Sequence, residues 1–104
     1  MPFNNREGHA YTERAVKAVA PAVSGVYGIY ERSAAQNDWI YVGETENIQK
    51  RLIEHLQAKG PEGQCILAHH PTGFTYDAVP ADRRVARQDE LIFELGPHCN
   101  KKLG

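Results

Sequence analysis

Residues 24–43 read SGVYGIYERSAAQNDWIYVG. Strand-forming apolar and aromatic residues dominate its two ends, at 25–30 and 39–42, and a polar run at 33–38 separates them. Aromatic and β-branched residues favour strands, and a short polar connection allows two strands to pair as a hairpin. This stretch therefore predicts two adjacent antiparallel strands.

An amphipathic helix is predicted over residues 45–59, directly after the hairpin. Its apolar side chains recur every four residues, at Ile48, Leu52 and Leu56. That period places them on one buried stripe of a helix. Thr45 or Asn47 can cap the start, and Gly60-Pro61 is expected to stop the helix.

The remaining elements follow from the same signals. The sequence predicts short helices at 10–20 and 64–70, a third strand at 74–79, and a helix at 80–95 with a cap near Asp82 and an end at Gly96. This order indicates an α/β (α+β) fold, a small three-stranded antiparallel sheet flanked by helices. The 104 residues suit one domain. Residues 1–23 form an N-terminal helical extension of it, and residues 24–100 carry the motifs.

Composition limits the classes of function. Hydrophobic residues make up 41% and charged residues 24% of the chain, an ordinary balance for a globular protein. The net charge of −1 gives no support to a dedicated nucleic-acid binder, which usually carries a basic patch. No run approaches the roughly 18 apolar residues of a membrane span, and residues 1–8 lack the apolar core of a secretory signal. A cytoplasmic protein with no membrane partner is expected.

The cysteines and histidines allow two interpretations. Two cysteines are too few for a disulfide framework, so no disulfide is expected. A metal site could be built from Cys65, His69, His70, His98 and Cys99. Their spacing matches no standard zinc signature, so solvent-exposed histidines and a half-buried cysteine are the preferred interpretation.

An ordered set of short motifs resembles the GIY-YIG nuclease superfamily. The set comprises Ser24-Gly25-Val26-Tyr27, Tyr41-Val42-Gly43, Lys50-Arg51-Leu52 with His55, Leu91-Ile92, and Pro97-x-x-Asn100. Each motif alone is unspecific, but their order covers about three quarters of the chain. The resemblance implies the fold of that family and metal-dependent hydrolysis of phosphodiester bonds.

The first motif can be aligned in two ways. Gly28-Ile29-Tyr30 spells the family name, but Gly25-Val26-Tyr27 fits the family pattern better because Ser24 precedes it and an apolar Ile29 follows. Tyr27 and Tyr30 are three residues apart in a strand and should face opposite sides of the sheet. We assign Tyr27 to the site; the alternative is that both tyrosines only pack against the sheet.

The resemblance implies a role for five polar residues. Tyr27 would activate or orient the attacking water, Tyr41 would hydrogen-bond near the scissile phosphate, and His55 would relay a proton. Arg51 lies one turn before His55 on a helix border expected to reach solvent, and its planar fork suits a phosphate. From the residues alone, a solvated face with Arg51 paired to a glutamate would be preferred. Asn100 resembles the family's late asparagine, which helps to hold the site together.

The position of the family's metal ligand carries an amide. The resemblance places that ligand, a glutamate, four residues before Ile92, and this chain has Gln88 there. A neutral glutamine is a poor ligand for Mg²⁺ or Mn²⁺, which prefer carboxylate oxygen. Three interpretations remain open: the domain is silenced at this position, Glu44 supplies the carboxylate instead, or the register slips and Glu90 is the ligand.

Two classes of function follow from these features. The first is a metal-dependent endonuclease that acts on nucleic acid, with DNA preferred, and that relies on a separate recognition protein. The alternative is a catalytically inactive nucleic-acid-binding or protein-interaction module on the same scaffold. Gln88 and the near-neutral charge favour the alternative, whereas the five polar residues favour the enzyme.

Overall fold

The computed structural model describes residues 3–4, 7–33 and 36–100, and the hairpin is its longest strand pair. In chain order the elements are β1 (His9–Ala10), α1 (Glu13–Val19), β2 (Gly25–Arg32), β3 (Asn37–Thr45), α2 (Ile48–Leu56), α3 (Gly60–Ala68), β4 (Gly73–Ala78), a 3₁₀ turn (Ala81–Arg83) and α4 (Arg84–Leu95). The expected connection at 33–38 lies partly outside the described residues. The helices flank an antiparallel sheet, as predicted.

The sheet has four strands rather than the expected three. Their order is β1-β4-β2-β3, and all three pairings are antiparallel. The additional strand, β1, has two residues and pairs with β4 at the sheet edge. Two residues are too few to leave an alternating pattern in a sequence, so no periodicity could predict this strand.

A bulge in β3 changes which side chains reach the face of Tyr27. Ile29 pairs with Tyr41, but Tyr30 pairs with Trp39, so Ile40 is the extra residue. A bulge turns neighbouring side chains away from strict alternation. Ile40 is buried in the apolar cluster on the face of Tyr27, and Tyr41 packs against the same cluster.

The sheet separates two apolar clusters. On one face, Tyr27 and Ile29 pack with Val16 of α1, Leu52 of α2 and Ile66 of α3. On the other face, the buried residues are Phe3, Val26, Val42 and Leu91, the last from α4. Successive residues of a strand point to opposite faces, so Val26 and Tyr27 contribute to different clusters. Among the described residues, no helix has the length and apolar character needed to cross a membrane.

Helix ends agree with the prediction at one place and differ from it at two. Asn47, one of the two residues predicted to cap α2, is the cap, and its side chain accepts a hydrogen bond from the amide of Lys50 at 3.0 Å. Gly60-Pro61 does not stop α2, which ends at Leu56, but begins α3, because proline fits the first turn of a helix. Asp82 lies in the 3₁₀ turn and caps no helix.

The segment after α4 lies along β3. The amide of His98 donates to the carbonyl of Trp39 at 3.2 Å, and the amide of Cys99 to that of Ile40 at 2.7 Å. The Asn100 side chain then accepts from the amide of Val42 at 2.8 Å and donates to its carbonyl at 2.7 Å. An amide side chain thus supplies the donor and the acceptor that a neighbouring strand would supply.

This pairing brings Cys99 against α3, where it forms a disulfide with Cys65. The expectation of no disulfide was wrong. The two cysteines are 34 residues apart in sequence, and their proximity depends on the tertiary pairing of the segment after α4 with β3. Composition and spacing contain no signal of such a contact.

Candidate active site

Tyr27, Tyr41 and His55 meet on the face of the sheet covered by α2. The Tyr27 hydroxyl lies 2.7 Å from Nε2 of His55. The Tyr41 ring stands edge-on to the His55 ring, with ring centroids 5.2 Å apart, and lies 6.2 Å from the Tyr27 ring. Gly43 makes this arrangement possible, because a Cβ at that position would collide with the Tyr27 hydroxyl.

His55 is fully buried, although its border of α2 was expected to reach solvent. The turn of α2 that carries it lies under β2 and β3, so the side chain enters the core beside Tyr27. Burial, with a further contribution from the positive charge of Arg51, lowers the pKa of His55 to about 4. The imidazole is therefore neutral near pH 7, and one of its nitrogens is free to accept a proton. Among the described groups, Nδ1 of His55 has no protein hydrogen-bond partner.

Tyr27 does not ionise readily in this environment. Burial raises the pKa of Tyr27 well above its usual value, repulsion from Tyr41 adds to the effect, and Arg51 opposes it. The positive charge of Arg51 therefore does not suffice to make Tyr27 a free phenolate. A role for Tyr27 in moving protons must use the neutral hydroxyl and its hydrogen bond to His55.

Arg51 projects from α2 toward α3 and is bound by two carboxylates. Its guanidinium donates to Glu54 at 3.1 Å and to Glu62 at 3.0 Å, and its side chain is 31% exposed. The glutamate pairing considered from the residues alone is thus present. A guanidinium has five donors, and a half-buried one stays charged, so an approaching phosphate can still compete for it.

A surface pocket opens beside this group. It is lined by Tyr41, Pro61, Glu62, Cys65, Gln88, Ile92, His98, Cys99 and Asn100. Gln88 thus shares a pocket with Tyr41 and Asn100. Arg51 does not line the pocket itself, but its guanidinium donates to Glu62, which does.

The two alternative metal ligands lie outside this lining. Glu44 accepts a hydrogen bond from Arg84 at 2.9 Å. Glu90 pairs with Arg87 and lines a different depression. Among the described residues of the first pocket, Glu62 has the one carboxylate. Gln88 is neutral and Glu62 is already bound by Arg51, so these donors do not fit a hard divalent cation as they stand.

Glu62 was not found from the sequence. The helix that carries it was predicted to begin at residue 64, which placed Glu62 in a connection. The available signal was Pro61, which favours the first turn of a helix, followed by an acidic residue in the same turn. Tyr30, the alternative to Tyr27, packs against Trp39, away from His55.

Comparisons with known proteins identify the scaffold. The chain is 31% identical over 99 residues to the UvrABC system protein C of Bradyrhizobium diazoefficiens, a match that covers 92% of this chain but 14% of that protein. The magnesium-bound GIY-YIG N-terminal endonuclease domain of UvrC from Thermotoga maritima has a TM-score of 0.65 and 21% identity, and the match covers 83% of this chain and 96% of that domain. A cation-bound point mutant of the same domain gives 0.67 and 19%, with 84% and 96% covered. These structures support the fold.

The family model described as the GIY-YIG catalytic domain matches residues 24–79, more than half of the chain. This range contains the hairpin, α2 and α3, and thus Tyr27, Tyr41, Arg51, His55 and Glu62. The chain therefore belongs to the GIY-YIG family.

Proposed function

We propose that this chain is an endonuclease-type domain for phosphodiester hydrolysis in DNA, and that Gln88 keeps it silent. The observation that carries the proposal is the 2.7 Å hydrogen bond between the Tyr27 hydroxyl and a neutral His55, beside Tyr41 and Arg51. Buried tyrosine–histidine pairs can be structural, but this pair lies beside Tyr41, which lines the surface pocket, and near the positive charge of Arg51.

The pair can move a proton without forming a free phenolate. In the tautomer of His55 that is protonated on Nδ1, the Tyr27 hydroxyl donates to Nε2, so its oxygen lone pairs can accept from a water molecule. As the water attacks phosphorus, its proton passes to the Tyr27 oxygen and the Tyr27 proton passes to Nε2. This relay suits the raised pKa of Tyr27 and the lowered pKa of His55, since both groups are neutral before the step.

Arg51 would stabilise the negative charge that develops on the phosphate. The carboxylates of Glu54 and Glu62 bind its guanidinium, so a phosphate has to compete with them. Tyr41 borders the same pocket and can donate its hydroxyl proton to a phosphate oxygen. Asn100 acts indirectly, because both ends of its side chain are bound to Val42.

Gln88 is the proposed reason for silence. The similar domain of the Thermotoga protein is bound to its catalytic divalent cation, magnesium in one structure. Here Gln88 offers a neutral amide toward the pocket, and such an ion favours carboxylate ligands. A bound Mg²⁺ or Mn²⁺ would supply charge stabilisation at the phosphate, and we propose that a glutamate at position 88 restores its binding.

DNA recognition would need help from another module. The net charge is −1, and sequence-independent affinity for DNA depends on neutralising phosphates. The chain corresponds to 14% of the protein it matches in Bradyrhizobium. We propose that a separate recognition protein or domain brings the substrate, in the cytoplasm.

A second candidate is a binding module without catalysis. Two observations favour it: the amide at position 88 and the neutralisation of Arg51 by two glutamates. In this case the pocket would hold a phosphate or an acidic group of a partner and would break no bond.

Cleavage of supercoiled plasmid with Mg²⁺ or Mn²⁺ separates the two candidates. We expect the unchanged protein to remain at background and Gln88→Glu to nick the plasmid, because a carboxylate completes the cation site. Adding Arg51→Ala to Gln88→Glu should lower the rate by about 100-fold or more, the typical effect of removing one charge-stabilising donor.

Two matched variants control for charge alone. Gln64→Glu adds the same charge on the exposed side of α3, and Lys50→Ala removes a cation next to Arg51 on α2. Gln64→Glu should not produce plasmid nicking, and Lys50→Ala should not lower the nicking rate of the Gln88→Glu protein. Cutting by the unchanged protein would refute silencing and direct attention to Glu62→Gln, whereas absence of cutting by Gln88→Glu would favour the binding module.

A further inference from the structure

A cluster of sulfur and imidazole groups lies beside the proposed catalytic residues. His69 caps the end of α3 one turn after Cys65, and Cys99 reaches both from the segment along β3. The ligand atoms of the three residues lie within 4.8 Å of one another. Nδ1 of His69 is 3.6 Å from the Cys99 sulfur and 3.9 Å from the Cys65 sulfur. The proposed nuclease chemistry uses none of these groups.

The sulfur–nitrogen distances, 3.6 and 3.9 Å, are close to those of a tetrahedral metal site. With Zn–S bonds of about 2.3 Å and a Zn–N bond of about 2.0 Å, a tetrahedron separates sulfur from nitrogen by about 3.5 Å and two sulfurs by about 3.8 Å. The imidazole nitrogen therefore already lies within reach of an ion that both sulfurs would bind. The two sulfurs would have to move apart, which requires cleavage of the disulfide.

The His69 ring is held in place by its neighbours. His98 stacks on it with ring centroids 5.1 Å apart and an interplanar angle of 9°. Asp38 in turn bonds Nε2 of His98 at 2.9 Å. Nδ1 of His69 also lies 3.0 Å from the Cys65 carbonyl, a hydrogen bond that metal binding through Nδ1 would replace. The stacking on His98 therefore restrains the plane of the His69 ring.

We propose that, in the dithiol form of the protein, Cys65, His69 and Cys99 bind one Zn²⁺ ion. The disulfide and the bound ion then exclude each other, because both use the sulfur atoms of Cys65 and Cys99. Reduction by a cellular dithiol adds two electrons and two protons, breaks the S–S bond and leaves the reductant as its own disulfide. Each thiol then releases its proton as its sulfur bonds to Zn²⁺. Water fills the fourth position from the pocket, which both cysteines line.

The sequence spacing disfavoured a metal site, but the fold brings together residues that local spacing does not connect. Cys65 and His69 are four residues apart on one helix and so share a face. The third ligand is 34 residues from Cys65, and the pairing of residues 98–100 with β3 brings it there. Local spacing rules describe compact metal loops and cannot include such a ligand.

Cobalt binding to the reduced protein tests the proposal. The metal-free protein is reduced with a phosphine, which becomes a phosphine oxide with an oxygen atom from water and does not compete as a thiol ligand. Titration with Co²⁺ should give thiolate-to-cobalt charge-transfer absorption that saturates at one ion per chain. Zn²⁺ should abolish the absorption, and the oxidised protein should show none.

Variants locate the site. His69→Asn should weaken binding by at least about tenfold, the lower range for loss of a metal-site partner. His70→Asn is the matched control: His70 is exposed, and its positive φ of 58° is tolerated by asparagine. Cys65→Ser with Cys99→Ser should abolish the charge-transfer band, with circular dichroism to verify the fold. Absence of the band in the reduced unchanged protein, or equal effects of the two histidine variants, would overturn the proposal.

Discussion

The buried tyrosine–histidine hydrogen bond constrains the protonation state of the core. The Tyr27 hydroxyl and Nε2 of His55 share a hydrogen bond, and Nδ1 of His55 has no protein partner among the described groups. Charging this ring would place a cation in an apolar cluster close to Arg51. The protein therefore stabilises the neutral imidazole, and its stability must depend on pH.

Acidification should destabilise the protein between pH 6.5 and 4. The pKa of His55 is lowered from 6.5 to about 4 in the folded state, so the unfolded chain binds the proton more tightly. The contribution is fully present above pH 6.5 and is lost as the pH falls through 4. Two and a half pKa units correspond to roughly 3 kcal/mol of unfolding free energy. Urea denaturation at a series of pH values measures this slope.

His55→Gln provides the comparison for this slope. Glutamine can accept the Tyr27 hydrogen bond but does not titrate, so the decrease between pH 6.5 and 4 should become shallower. His70→Asn, at an exposed position, should retain the slope of the unchanged protein. An identical slope in His55→Gln would assign the pH dependence to another group.

Residue-level predictions from the sequence succeeded where a strand or helix period governs them. Alternation along β2 separates Tyr27 from Tyr30, and the structure places them against different partners, His55 and Trp39. The complete burial of His55 could not be predicted in this way. Helical phase gives the direction in which a side chain points, but it does not show how much of the protein covers that side chain. Glu62 was missed because its identity as a pocket residue depends on where α3 begins.

At the scale of the elements, turn residues determine how α4 leads into the segment along β3. Gly96 ends α4 in the left-handed conformation, with φ 58° and ψ 52°, and its amide bonds the carbonyl of Ile92. A Cβ at this position would meet no atom within 4 Å. Backbone conformation alone, not packing, therefore favours glycine here.

Gly96→Ala should destabilise the protein by about 1 kcal/mol, the cost of the left-handed conformation for a residue with a Cβ. Gly96→Asn should cost less, since asparagine tolerates this region. Urea denaturation measures this difference as a shift in the unfolding midpoint, provided that the dependence of the unfolding free energy on urea concentration is the same for all variants. A neutral or stabilising Gly96→Ala would show that the helix ends differently in solution.

Element prediction from the sequence followed the strength of the local signal. The hairpin was found because strand-forming residues are concentrated at 25–30 and 39–42, and α2 because its apolar residues recur every four positions. The start of α3 was not, since Gly60-Pro61 fits the end of one helix and the beginning of the next equally well. β1 exists only by its pairing with β4, a tertiary contact that two residues cannot encode.

At the scale of the whole molecule, the disulfide connects α3 to the end of the described chain. Closing a loop of 34 residues restricts the unfolded ensemble, which stabilises the folded state by about 3–4 kcal/mol in the chain-entropy treatment. The same covalent bond holds the segment that bears Asn100 near β3. Redox state and overall stability are therefore coupled.

Reduction in the presence of a metal chelator should lower the free energy of unfolding by about 2–4 kcal/mol. Denaturant unfolding of the oxidised and reduced protein measures the difference. The doubly substituted protein with Cys65→Ser and Cys99→Ser is the control, and the reductant should not change its stability. An equal midpoint for the oxidised and reduced forms would contradict a stabilising disulfide.

The alignment of residues 98–100 with β3 also affects association between molecules of this protein. β3 is an edge strand, and an uncovered edge can pair with a strand of another molecule and seed aggregation. Here the amides of His98 and Cys99 and the Asn100 side chain occupy backbone groups of Trp39, Ile40 and Val42. The asparagine that lines the pocket thus also occupies edge groups that a strand of a neighbouring molecule would need for pairing.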